Sequence, residues 1–93
     1  MTIFEQIAGK IIKEQERIIG PLAWDEASKV PGLEVINKKT GEIIIHSDVK
    51  DVLDKLVAQY ERLFGRASHE VCREAAHSML TGIAPTEVPS SLK

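Results

Sequence analysis

Residues 49–64 read VKDVLDKLVAQYERLF, and their spacing decides the fold class. At helical steps, Val49, Val52, Leu53, Leu56, Val57, Tyr60, Leu63 and Phe64 fall within an arc of about 140°, the apolar stripe of a helix resting on a core. Ser47 or Asp48 offers a side-chain oxygen to the free amides at the start, and Gly65 suits the residue just past the end. The subset Val49, Leu53, Leu56, Tyr60 and Leu63 alternates steps of four and three, the spacing of a coiled-coil seam, over a length too short to define one.

Moving upstream, Leu33, Val35, Ile43 and Ile45 alternate with Glu34 and His46 around Asn37-Lys38-Lys39-Thr40-Gly41, which predicts one β-hairpin. Its second strand contains Ile43-Ile44-Ile45, an unbroken apolar run expected where both faces are covered. Before it, Pro21 opens a short helix with Leu22, Ala23, Ala27 and Val30 on one face, ended by Pro31-Gly32. The chain begins with Thr2-Ile3-Phe4-Glu5, a capping box, followed by a helix to Ile19 that Gly20-Pro21 breaks. Ile3, Phe4, Ile7, Ala8, Ile11, Ile12, Ile18 and Ile19 occupy an arc of about 180° on this first helix, with Gln15 inside it.

Downstream, Ser68 is the expected cap of a last helix whose inner face carries Val71, Cys72, Ala75 and Met79, with Thr81-Gly82 as its stop. Ala75 and Ala76 permit close approach to the preceding helix, as an αα-hairpin through Gly65-Arg66-Ala67. Pro85, Pro89, Ser90 and Ser91 replace any period beyond Ile83. The expectation is therefore a single α+β, mostly helical domain over residues 1–82, ordered helix, short helix, hairpin, helix, helix, with a disordered tail over 83–93. Its expected core comprises Phe4, Ile7, Ile11, Ile18, Leu22, Val35, Ile43, Ile45, Leu53, Leu56, Tyr60, Leu63, Cys72, Ala75 and Met79.

Twelve basic and fourteen acidic residues nearly cancel over 93 residues, without a basic segment. That balance disfavours nucleic acid as the main partner, since duplex binding neutralises several phosphates at once. No apolar run approaches the roughly 20 residues of a membrane span. A lone cysteine, the absence of a signal-peptide pattern and the early Glu5 favour a reducing, cytoplasmic setting.

The residue types able to carry chemistry are few. Cys72 with His69 one turn earlier is a candidate nucleophile and base, although a cysteine within an apolar stripe more commonly packs as a small hydrophobe. His69, Cys72 and His77 point in different directions around their helix, so one metal ion cannot reach all three, and no metal or cofactor is expected. Ala76-His77-Ser78-Met79-Leu80-Thr81-Gly82 partly resembles the signature of histidine phosphotransfer domains. The lysine and glycine of that signature are replaced by Leu80 and Thr81, so the resemblance assigns no family. Asp48, Asp51 and Asp54 sit near a helix start, where a carboxylate complements the helix dipole, and read as solvated residues.

The first helix carries the main functional expectation, because its stripe is wider than a single core contact requires. Ile3, Phe4, Ile7, Ile11, Ile12 and Ile19 are predicted to meet a protein partner, foremost a second copy in a homo-oligomer, with the hairpin edge as the other route. The chain reads as a non-catalytic interaction or regulatory module. Two alternatives stand beside it: a small-ligand binder with a pocket between hairpin and helices lined by Trp24, His46 or His69, and a small enzyme using Cys72 with His69.

Overall fold

Thr2 and Glu5 start the first helix as a reciprocal pair, the Glu5 amide donating to Thr2 Oγ1 at 3.2 Å and the Thr2 amide to Glu5 Oε1 at 2.9 Å. The computed structural model describes residues 2–93. In chain order these form α1 (Ile3–Ile19), α2 (Leu22–Ala27), β1 (Leu33–Asn37), β2 (Glu42–Ile45), α3 (Val49–Phe64) and α4 (Arg66–Leu80), then short 3-10 turns at Pro85–Glu87 and Ser90–Leu92. The protein is thus α+β and mostly helical, with an antiparallel hairpin leaning on four helices.

Helix α1 lies at the centre, with α2, α3, α4 and β2 packed around it. Ile7, Ile11 and Ile12 are fully buried by these elements, alongside Leu53, Leu56, Ile43 and Trp24. The middle of the wide stripe is therefore covered within the chain, which corrects the expectation that Ile7, Ile11 and Ile12 meet a partner. Of the remaining residues in that set, Phe4 and Ile19 are half-buried against the core, and Ile3 is exposed. Gly9 permits one of these contacts: a Cβ there would lie 3.2 Å from the Gly41 carbonyl oxygen, so the hairpin turn rests directly on the α1 backbone.

Helices α3 and α4 meet at a single residue, Gly65, which ends one and begins the other at φ 89°. That value lies in the left-handed region, where glycine has no Cβ penalty. The loop is shorter than the expected Gly65-Arg66-Ala67, and α4 starts before Ser68. Asp48 caps α3, accepting from the amides of Lys50 and Asp51. Helix α2 is held by α3: Tyr60 Oη donates to the Ala23 carbonyl at 2.6 Å, and Gln59 Nε2 to Glu26 Oε1 at 2.7 Å. Lys29 and then Gln59 hold the Glu26 carboxyl below its usual range by hydrogen bonding.

Three expected core residues lie outside. Ile18 is 62% exposed, and Leu22 and Leu63 are each more than two-fifths exposed. They occupy the first or last turn of their helices, where the covering elements run out. The tail also differs from expectation. Residues 83–93 fold back onto α3 and α4, with Pro89 and Leu92 buried, because two apolar anchors and remote side-chain hydrogen bonds supply order that needs no periodicity.

Glu5 does a second task. Its Oε2 accepts from the Ile45 amide at 2.9 Å, joining the start of α1 to the outer edge of β2. The Thr2 amide and then the Ile45 amide hold this carboxyl below its ordinary range. A group depressed on folding adds stability above its unfolded range and loses it as pH falls through its folded value. Glu5→Ala should lower stability in urea denaturation by about 1–2 kcal/mol near neutral pH, and its gap from the unsubstituted protein should shrink as pH falls through and below the ordinary carboxylate range.

Candidate functional site

Cys72 and His69 are one turn apart on α4 but face different surroundings. The Cys72 thiol is fully buried and receives a hydrogen bond from Gln15 Nε2 at 3.4 Å. Burial pushes the thiol up to about 11, against the smaller opposing pull of the Gln15 amide, which favours the neutral form at physiological pH. The His69 ring turns to α3 and the tail, with Nε2 2.6 Å from the Ser91 carbonyl oxygen and Nδ1 3.3 Å from Glu61 Oε1. Both ring nitrogens have partners, and neither is Cys72. The geometry gives the thiol no base.

The proposed pocket residues are likewise dispersed. Trp24 is almost fully buried, with an indole N–H that has no partner among the described residues. His46 is exposed on the hairpin, its Nε2 2.8 Å from Glu34 Oε1. It precedes α3, whereas His69 lies near the far end of that helix, so the 16 residues of α3 separate them. A groove of about 550 Å³ lies elsewhere, between α1 and α4, with Lys10, Glu14, Arg17, Ile18, Val71 and Glu74 in its wall. Glu14 already pairs with both Lys10 and Arg17, so much of its charge is internally matched. His77 is exposed on α4. Among the described residues, no group of three or more His, Cys, Asp and Glu is placed to hold a metal, and no helix is long and apolar enough to cross a membrane.

The hairpin offers a different kind of site. The His46 amide donates to the Gly32 carbonyl at 2.7 Å, which sets the alternation of the ladder. Leu33 opposite Ile45 and Val35 opposite Ile43 turn their side chains to the core, while Glu34 opposite Ile44 faces outward. A bulge between Val35 and Asn37 leaves Ile36 exposed as well. Ile36 and Ile44 therefore form an outward apolar pair beside the Glu34–His46 contact. The outer edge of β2 is closed at Ile45 by Glu5, and that of β1 takes no strand partner.

Sequence reasoning assigned Asp54 to solvent and passed over Lys50 and Ser91. Asp54 Oδ1 accepts from both the amide and the hydroxyl of Ser91, and Lys50 Nζ donates to the Thr86 carbonyl at 2.7 Å. The available signal was the spacing of Lys50, Asp54 and Glu61, which puts three charged groups on one flank of a helix.

No protein-family model matches the chain, and neither a curated protein nor a solved structure is significantly similar to it.

Two outcomes follow from the buried polar cluster. Native Cys72 should resist a small alkylating reagent at neutral pH and react only as fast as the protein unfolds; rapid native labelling would restore the nucleophile. Gln15 donates to the Ser68 carbonyl at 2.9 Å, yet its own Oε1 is buried without a partner. Gln15→Leu should be neutral or stabilising in thermal denaturation, within about 1 kcal/mol, because it removes an unsatisfied acceptor.

Proposed function

We propose that the chain is a non-catalytic protein–protein interaction module that self-associates through the outer face of its hairpin. The observation that carries this reading is the pair Ile36 and Ile44, 45% and 39% exposed on the side of the sheet turned away from the helices. Both are β-branched residues on short strands, where nothing in the local backbone requires an apolar side chain. Two-fold packing of this face places the four isoleucines of two copies at the centre and the Glu34–His46 contacts at the rim, an isologous arrangement. A net charge of −2 offers little repulsion to self-contact.

Contact on the face is preferred to pairing along the edge. A bulge and a short strand are features that disfavour edge-to-edge pairing, and β1 carries both. The apolar area is small beside the roughly 800 Å² per partner of a stable interface, so the association is weak and concentration-dependent. A reducing, cytoplasmic location suits the free Cys72.

Sedimentation equilibrium tests this directly. The unsubstituted protein should pass from monomer to dimer within the micromolar to millimolar range, and Ile44→Glu should remain monomeric with unchanged helical circular dichroism. A strict monomer at millimolar concentration would remove the reading.

A further inference from the structure

The segment 86–92 does not simply cover α3 and α4; they hold it at Thr86, Pro89, Ser91 and Leu92. Ser91 has all its polar groups engaged. Its amide and hydroxyl donate to Asp54 Oδ1 at 3.0 and 2.6 Å, and its carbonyl lies 2.6 Å from His69 Nε2. Glu61 holds the other His69 nitrogen at 3.3 Å, fixing the ring toward the strap. Pro89 and Leu92 on either side are buried, and Lys50 grips the Thr86 carbonyl upstream. Residues 90–92 form a 3-10 turn, and α3 and α4 hold it by buried apolar anchors on both sides of a residue whose backbone and side chain are both hydrogen-bonded.

The connection to the rest of the chain is different in character. Thr81, Gly82 and Ala84–Glu87 are exposed, and the first 3-10 turn contains no buried residue. The half-buried Ile83 and Val88 and the Lys50–Thr86 bond oppose lifting of the tether, but no residue of 81–88 is fully buried, so opening of this segment is expected below the free energy of global unfolding. A segment anchored beyond a largely exposed tether can exchange, and exchange of identical elements between protomers requires no new surface.

We propose that the α3–α4 groove is a peptide-docking site for the pattern Pro-x-Ser-Leu, occupied in the isolated chain by its own residues 89–92 and able to take the same segment from a second copy. The occupant follows from the groove's chemistry. Asp54 requires a residue carrying both an amide and a hydroxyl donor, His69 a carbonyl acceptor, and the apolar sites a proline two residues before and an aliphatic side chain one residue after. This inference rests on the strap alone and is independent of the hairpin face.

The test uses the full chain carrying Leu92→Asp, which unseats its own strap, and a labelled, C-terminally amidated peptide of residues 84–93 followed by fluorescence anisotropy. Saturable binding is expected, at least about tenfold tighter than to the unsubstituted chain, whose tethered strap competes at an effective concentration near millimolar. A peptide with Ser91→Ala should bind about tenfold more weakly, and Asp54→Ala in the receiving chain should give a similar loss. No binding to the folded variant up to about 1 mM peptide, or equal binding of the alanine peptide, would overturn the proposal. Should Leu92→Asp lose its helical circular dichroism, hydrogen exchange of the unsubstituted chain decides: the Ser91 amide should exchange at least tenfold faster than that of Leu56, and exchange of both only through global unfolding would refute an exchangeable strap.

Discussion

Burial of α1 is the constraint on which the other elements depend. Ile7, Ile11 and Ile12 project over too wide a sector for one neighbour to cover, and each contributes about 1.5–3 kcal/mol when removed from water. Covering them takes α2, α3, α4 and β2 together, so the helix at the chain's beginning acts as the axle of the domain. This arrangement also explains how a chain of 93 residues with no possible internal disulfide can hold together. A central helix buries the middle of its apolar stripe on several sides at once, and each peripheral element needs only one good face.

The hairpin shows how closely the peripheral parts rely on that axle. Two strands in isolation are marginal in water. Here the Gly41 turn rests on Gly9, the Ile45 amide is held by Glu5, and Ile43 is fully buried. These contacts involve residues 32 to 40 positions apart in sequence, so the hairpin and α1 are expected to order together. The same fixing of the hairpin's inner side leaves its outer side free of structural duty, with Ile36 and Ile44 unexplained by folding alone.

Much of this architecture was legible because its signals are local. The capping box at Thr2 and Glu5, Gly20 after α1, the Asp48 cap and the alternation through Ile43 and Ile45 each follow from residues a few positions apart. The number and identity of the elements covering α1 were not legible, since a helical period reports which side is apolar and not what lies against it. Ile18 and Leu63 carry the same pattern as buried residues one turn earlier, but the neighbouring elements end before reaching them. The strap was hidden for another reason. Its order comes from Pro89, Leu92 and bonds to Asp54 and His69 far away in sequence, and none of these leaves a periodic trace.

The same long-range geometry accounts for the fate of the candidate chemistry. His69 and Cys72 are neighbours along α4, yet the 300° of helical rotation between them, about 60° in the opposite sense, directs one ring toward Glu61 and Ser91 and the thiol toward Gln15. In that position the thiol loses solvation and gains no base, while the histidine is committed at both nitrogens. Asp54 is committed to Ser91 in the same way. Cys72, His69 and Asp54 are thus occupied in holding segments together. What remains exposed is apolar surface, on the hairpin at Ile36 and Ile44 and at the helix ends at Ile18, Leu22 and Leu63. With Cys72, His69 and Asp54 engaged in structure, the proposals for this domain rest on its surfaces, the hairpin face and the site of the 89–92 segment, and not on reactive groups.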